Sequence, residues 1–304
     1  GCYTTHSNVK RWNRDSENIL PVAEALSAIA ANWGPEYPQE GLTQAWRNTC
    51  FNQFHDILPG SAIHGSYEYS GELYQQTRAV ADSAIDQSLD ALCAQIDTRG
   101  EGQAVVVWNP VAWDRKDRVE VVLRTPEPWP GAIVTDSEGK ALPAQVMKSE
   151  ADGDDFATTV EFIADLPALG YAVFHSVPLP VQSSPRDDQA SRVIESLNQG
   201  VFSLKWPGDD EPPISARFLL EMLHEDPHGM SAWNIGPIAS TEPVALDDVS
   251  VASRGDVATH FRTRYSYGKS SFDVLISEYR ELRRVEFDML ADWQEVGNNR
   301  DGGP

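Results

Sequence analysis

The chain has 304 residues, with 24 Lys and Arg against 46 Asp and Glu, a formal charge of −22 at pH 7. Domains run ~100–200 residues, so this length points to two or three, and 41% apolar against 23% charged residues is too greasy for a disordered chain. The charge excludes the common nucleic-acid binder, which needs a basic stripe to displace counterions from phosphate, and disfavours an anionic membrane surface; no apolar run of ~18 residues is present to span a bilayer.

Cys2, Cys50 and Cys93 are the three cysteines. An odd, sparse count without a CxxC pair fits a reduced compartment better than a disulfide framework. No secretory signal is visible, so the expectation is a soluble cytoplasmic protein. The opening GCYTTHSNVKRWNR and the closing NNRDGGP read as internal sequence, and the chain is taken as a piece of a longer one.

Residues 6 to about 97 carry a helical period. Val22, Leu26, Ile29 and Trp33 recur at steps of four and three, with Pro21 expected to start or kink that helix. GPEYPQEG interrupts the pattern. A second helix is expected to carry Trp46, Cys50 and Phe54 and to stop at Pro59-Gly60; a third carries Tyr67, Tyr74, Ala81, Ile85, Leu89, Leu92 and Ile96. Three such helices make a bundle. From Gln103 the period changes. AVVVWNP, DRVEVVL, TTVEFIADL and YAVFHSV are strand-like, rich in branched and aromatic residues between turn signals. VPLPVQSSPRDDQA reads as a linker, and SRVIESLNQGVFSLKW, DVSVASRGD, ATHFRTRYSYG and FDVLISEYRELRRVEFDMLADW read as further strands. The acidic clusters EADGDD and GDDEPP read as solvated turns. The expected fold class is α+β multidomain: a helical middle domain, a three-helix bundle, over 1–101, a small β-sandwich over 102–182, and the incomplete start of a large β-sandwich over 183–304.

The stretch with the most chemistry is Asn52-Gln53-Phe54-His55-Asp56-Ile57-Leu58-Pro59-Gly60-Ser61. Adjacent side chains on a helix diverge by ~100°, so His55 and Asp56 would not share one ion. The natural division sends the imidazole to a metal and the carboxylate to substrate or to a supporting contact. The plainer reading is a helix-end histidine that caps carbonyls or pairs with a neighbouring acid. His224-Glu225-Asp226-Pro227-His228 imitates a metal motif but reads as an exposed loop. His64 reads as a helix N-terminal residue. Trp33, Trp46 and Trp108 fall on core-like faces; Trp233 is the best exposed candidate for stacking on a sugar, though core packing remains its plainer role.

NQFHDILPGSAI, followed by a helix with Tyr67 and Tyr74, resembles the central motif of glycoside hydrolase family 38, the zinc-dependent α-mannosidases. GCYTTHSNVKRWNRDSE is similar to the segment that opens that family's helical middle domain, and VVWNPVAWDRKDRVEV resembles its entry into β structure. ADLPALGYAVF, AWNIG and VEFDMLADWQE resemble later landmarks in the right order. The resemblance implies a retaining glycosidase acting on mannose-containing carbohydrate, with zinc as cofactor. It makes His55 a metal ligand and Asp56 a substrate-binding residue. It also implies that the nucleophile, the acid/base and the remaining zinc ligands lie in an upstream α/β domain, so no catalytic residue is expected here and the chain alone is expected to be inactive. Nucleic acid and membrane are not expected partners, and an oligomer is allowed for the full-length protein. The alternative is a non-catalytic carbohydrate-binding or structural helix-plus-sandwich protein.

Overall fold

The computed structural model describes residues 5–181, 194–198, 201–204, 214–217, 220–226, 235–279, 281–282 and 284–295. The chain divides into two compact units, one holding Gly1–Asp97 and the other Thr98–Pro227 with Pro237–Pro304.

The first unit contains α1 (Ser7–Ala30), a short 3-10 turn (Ala31–Trp33), α2 (Gln39–Asn52) and α3 (His64–Cys93). On α1 the buried positions include Val9, Asn13, Ser16, Leu20, Ala23, Ser27 and Ala30, alternating steps of four and three as in a heptad seam. On α3 they include Tyr67, Ser70, Tyr74, Thr77, Ala81, Ala84 and Ser88. Small residues let the two helices close on each other, with Ser27 Oγ and Ser88 Oγ 3.2 Å apart in the interior. Burying hydroxyls requires partners, and these helices supply their own. Ser16, Thr49 and Ser88 donate to carbonyls four residues back at 2.8, 3.0 and 2.6 Å.

The buried seam of α1 is centred one residue away from the Val22–Ile29 stripe, of which Leu26 is buried, and Trp33 is 49% exposed. Small and polar residues therefore occupy positions that a hydrophobic count passes over. Pro21 lies inside α1 without ending it; the proline is exposed, on the side where water can serve the carbonyl its missing N–H leaves unbonded. On α2 the buried face is Leu42, Ala45, Asn48, Thr49 and Asn52, while Cys50 is exposed and so is Phe54. That helix stops at Asn52, one to two turns before Pro59-Gly60, and α3 stops at Cys93, short of Ile96.

Among the described residues beyond Cys93, every regular element is a strand. The first seven are β1 (Gln103–Asn109), β2 (Arg115–Thr125), β3 (Gly131–Thr135), β4 (Ala141–Leu142), β5 (Ala144–Asp152), β6 (Asp155–Leu166) and β7 (Gly170–Leu179). They form two antiparallel sheets, ordered β1-β7-β3-β4 and β2-β6-β5. The two share a core that includes Val105, Trp129, Val134, Val160, Phe162 and Phe174. The acidic EADGDD segment is the exposed tip of the β5–β6 hairpin, where Gly153 takes φ 63°. Then come β8 (Ile194–Asn198), β9 (Val201–Leu204), β10 (Ile214–Arg217), β11 (Glu221–Glu225) and β12 (Ile238–Pro243). The last four are β13 (Ala245–Arg254), β14 (Ala258–Tyr267), β15 (Ser270–Tyr279) and β16 (Val285–Asp292), hydrogen-bonded in sequence order as one antiparallel sheet.

Strand β6 is buried on both faces. Val160, Phe162, Ala164 and Leu166 enter the sandwich core, whereas Ile163 points the other way and packs with Val257, Ala258, Tyr279 and Leu282. The alternation of a strand thus divides β6 between two hydrophobic clusters. No helix among the described residues is long and apolar enough to cross a membrane. Cys2, GDDEPP, most of the VPLPVQSSPRDDQA segment, Pro227, His228, Gly229 and Trp233 lie outside the described residues.

Candidate metal and sugar site

The residues between α2 and α3 form a series of turns rather than a helix end. Ile57 anchors them by burying its side chain beside Val9, Tyr67 and Tyr74. Asn52, fully buried at the last position of α2, donates from Nδ2 to the Ser70 carbonyl on α3 at 3.2 Å. Gln53 Nε2 reaches α1, donating to Asn13 Oδ1 at 3.1 Å and Glu17 Oε1 at 2.9 Å. Lys10 Nζ donates to the Pro59 carbonyl at 3.1 Å. The turn closes at Gly60, where φ is 93° and an added Cβ would lie 2.6 Å from the Thr5 carbonyl oxygen; only glycine takes that backbone cheaply beside so close a neighbour.

From this anchored turn His55 and Asp56 project outward, their side chains 78% and 53% exposed. Because both lie in a turn, the helical divergence expected from the sequence does not apply. His55 Nε2 comes within 3.8 Å of Asp56 Oδ1. That is an electrostatic approach rather than a hydrogen bond. The Phe54 and His55 rings lie 4.2 Å apart, centroid to centroid, at a tilt of 50°. An exposed imidazole without a short hydrogen bond is suited to give one nitrogen to a metal ion, and zinc accepts imidazole readily. Among the described residues no group of three or more His, Cys, Asp or Glu side chains could hold a metal by itself. The chemistry present is one exposed imidazole beside a carboxylate, able to give a metal at most part of its ligands.

The other histidines behave differently. His64 is the first residue of α3, and its Nε2 lies 3.6 Å from Glu68 one turn on. His224 lies in β11 rather than in a loop; its Nε2 is 3.4 Å from Glu242 Oε2 on the paired strand. The cross-strand partner accounts for its position. Trp46 and Trp108 are half-buried. Lys10 and Asn13 support the turn without any local signal in the sequence, and Tyr67, read there only as a helix-stripe residue, supports it as well. Each is brought to the turn from a neighbouring helix.

A helical bundle followed by antiparallel β sheets, with an exposed His-Asp pair at the α2–α3 turn, defines the class to compare. Residues 1–92 match the family model described as the alpha mannosidase middle domain. Alpha-mannosidase 2C1 of Mus musculus is 33% identical over 132 residues, covering 42% of this chain and 12% of that protein. The human protein of the same name is 34% identical over 130 residues, with the same coverages of 42% and 12%. Lysosomal alpha-mannosidase of Felis catus is 24% identical over 228 residues, 66% of this chain and 22% of its own length. An alpha-mannosidase structure from Enterococcus faecalis V583 matches with a TM-score of 0.69 over 94% of this chain and 41% of that one, at 14% identity. A glycosyl hydrolase family 38 protein from Enterococcus faecalis matches with a TM-score of 0.68 and 13% identity, over 94% of this chain and 43% of that one. At such identity the two structures speak for the fold. Residues 1–92 are thus similar to the α-mannosidase middle domain, and nearly the whole chain shares its fold with a segment of the two Enterococcus faecalis structures. It spans 12% of the length of each of the two mammalian 2C1 relatives.

Proposed function

We propose that this chain is part of a retaining, zinc-dependent α-mannosidase, in which His55 is one metal ligand and Asp56 binds hydroxyls of the substrate sugar. The observation that carries the reading is the exposed His55–Asp56 pair on a firmly held turn, inside the segment that matches the α-mannosidase middle domain. The substrate class is mannose-containing oligosaccharide or glycoconjugate. Zinc, when bound, would orient sugar hydroxyls and act as a Lewis acid. The Asp56 carboxylate accepts hydrogen bonds from hydroxyls, which strengthens binding most as the ring distorts toward the transition state.

A retaining mechanism needs two carboxylates ~5 Å apart across the scissile bond. We place both, with the remaining zinc ligands, in an upstream α/β domain outside these residues. The present chain supplies a middle domain over 1–101, a small sandwich over 102–182 and the beginning of a larger sandwich over 183–304.

The test uses the full-length protein. His55→Ala is expected to lose bound zinc, since removing one of about four ligands weakens a site severely. Asp56→Asn is expected to retain zinc and lose turnover as well as binding. Bound metal is read by elemental analysis and turnover with an aryl α-mannoside. Full zinc occupancy and normal turnover in His55→Ala would return His55 to the role of a turn histidine.

A further inference from the structure

The His55–Asp56 turn is exposed, yet its backbone is held from beneath by a side chain of α3. The Tyr67 hydroxyl accepts the Ala62 N–H at 2.8 Å and donates toward the Asp56 carbonyl at 3.4 Å. Its ring is 7% exposed and packs in the cluster with Val9, Ile57 and Tyr74. The ring of His6 stacks on its other side, centroids 3.8 Å apart and planes 16° from parallel. A ring gripped on several sides has no freedom to swing, so its hydroxyl is a fixed point.

We propose that Tyr67 is a positioning residue, whose hydroxyl fixes the directions in which the His55 and Asp56 side chains leave the turn. This rests on the reading of that turn as the metal and sugar site. Packing alone does not require the hydroxyl. A phenylalanine would fill the same space, and a phenol oxygen at the edge of an apolar cluster costs free energy unless it is bonded. Here it joins two backbone groups six residues apart, one on each side of the Pro59-Gly60 bend. The competing donor to the Asp56 carbonyl is Ser61 Oγ, at 3.4 Å but exposed; water can replace it. Gln53 ties the start of the turn to α1 and Lys10 ties its Pro59 bend, leaving Tyr67 to join the two sides of that bend.

The experiment is Tyr67→Phe in the full-length zinc-loaded protein, with two independent readouts. The first is amide hydrogen exchange. Ala62 loses its acceptor and is expected to exchange about five- to tenfold faster, the scale of one hydrogen bond, while the amides in the middle of α1 and α3 keep their protection. The second is function. Zinc affinity is expected to fall several-fold and kcat to fall by more than KM changes, because misdirection matters most in the transition state. In an Asp56→Asn background the kinetic effect of Tyr67→Phe should shrink, as for two groups acting through one element. Unchanged exchange at Ala62 overturns the proposal. Faster exchange with wild-type zinc affinity and kinetics also overturns it, since the tether would then serve the fold alone. His55→Ala run in parallel separates the premises: retention of zinc there refutes the site reading, while Ala62 exchange in Tyr67→Phe still reports the tether.

Discussion

At single positions, close approach rather than composition decides what is tolerated. Gly255 is such a position: an added Cβ would stand 1.9 Å from Gln145 Oε1. That oxygen accepts the N–H groups of Val257 and Ala258 at 3.2 and 3.1 Å. Gly255→Ala must displace the glutamine and strand two buried amides, so we expect it to destabilise the β unit by about 3 kcal/mol, the upper end for overpacking. A denaturant titration of the purified chain checks this; a loss below ~1 kcal/mol would mean that Gln145 moves aside freely. Gly60→Ala should cost the helical unit about 1–3 kcal/mol, combining a left-handed backbone with the clash at Thr5. Both glycines look like ordinary turn residues in the sequence. Their partners are brought in from far along the chain.

Among the elements, β6 is the one whose environment the sequence described least completely. TTVEFIADL announces a strand, but not that Glu161 would be fully buried. Glu161 pairs with Arg118 on β2, accepts Gln145 Nε2 at 2.8 Å and lies 3.3 Å from His260 Nε2 on β14. Burial by itself raises its pKa, yet the hydrogen bonds from His260 and Arg118, with their charges, outweigh that and hold the carboxyl below its ordinary value of 4.5. A depressed folded pKa means that the folded state resists protonation more than the unfolded chain does. The stabilisation from Glu161 is therefore complete at neutral pH and lost as the pH falls through the folded value, below 4.5. Glu161→Gln should cost about 3 kcal/mol at pH 7, because it leaves Arg118 without its buried partner, and it should flatten the acid limb of the stability curve. Equal acid sensitivity in wild type and variant would show that other carboxylates control that limb.

For the whole molecule, net charge is the property most open to a direct test. At −22 the chain repels itself, and salt shortens the range of that repulsion to about 8 Å at physiological strength. Its thermal midpoint is expected to rise between low salt and ~0.15 M; a fall would mean that surface ion pairs such as Arg264–Asp273 outweigh the excess of acid. The second expectation is functional. The chain by itself should not turn over an aryl α-mannoside, because groups that act as one catalytic unit lose nearly everything when separated. Turnover by the pure chain, abolished by a substitution within it, would overturn the assignment.

Hydrophobic period and turn signals sufficed to read three helices, the change to strands near Gln103 and the exposed acidic turn at EADGDD, because each depends on residues within a few positions of one another. Resemblance singled out NQFHDILPGSAI, and the structure places His55 and Asp56 together at the surface. Local reasoning set the end of α2 at Pro59-Gly60. The helix stops at Asn52, and beyond it Ile57 is buried in the cluster of Val9, Tyr67 and Tyr74. Polar residues such as Asn13, Ser27, Thr49 and Ser88 sit in the bundle interior, where a hydrophobic count would not put them; short interhelical distances and bonds to nearby carbonyls make them fit. The sequence alone therefore determined the three helical segments, the change to β structure and most of the strands, though not β3–β5 or β10–β12, and which dipeptide is worth testing. Only the tertiary structure decided where the helices stop, what holds that dipeptide in place and which charges are buried, since those depend on contacts between residues tens of positions apart.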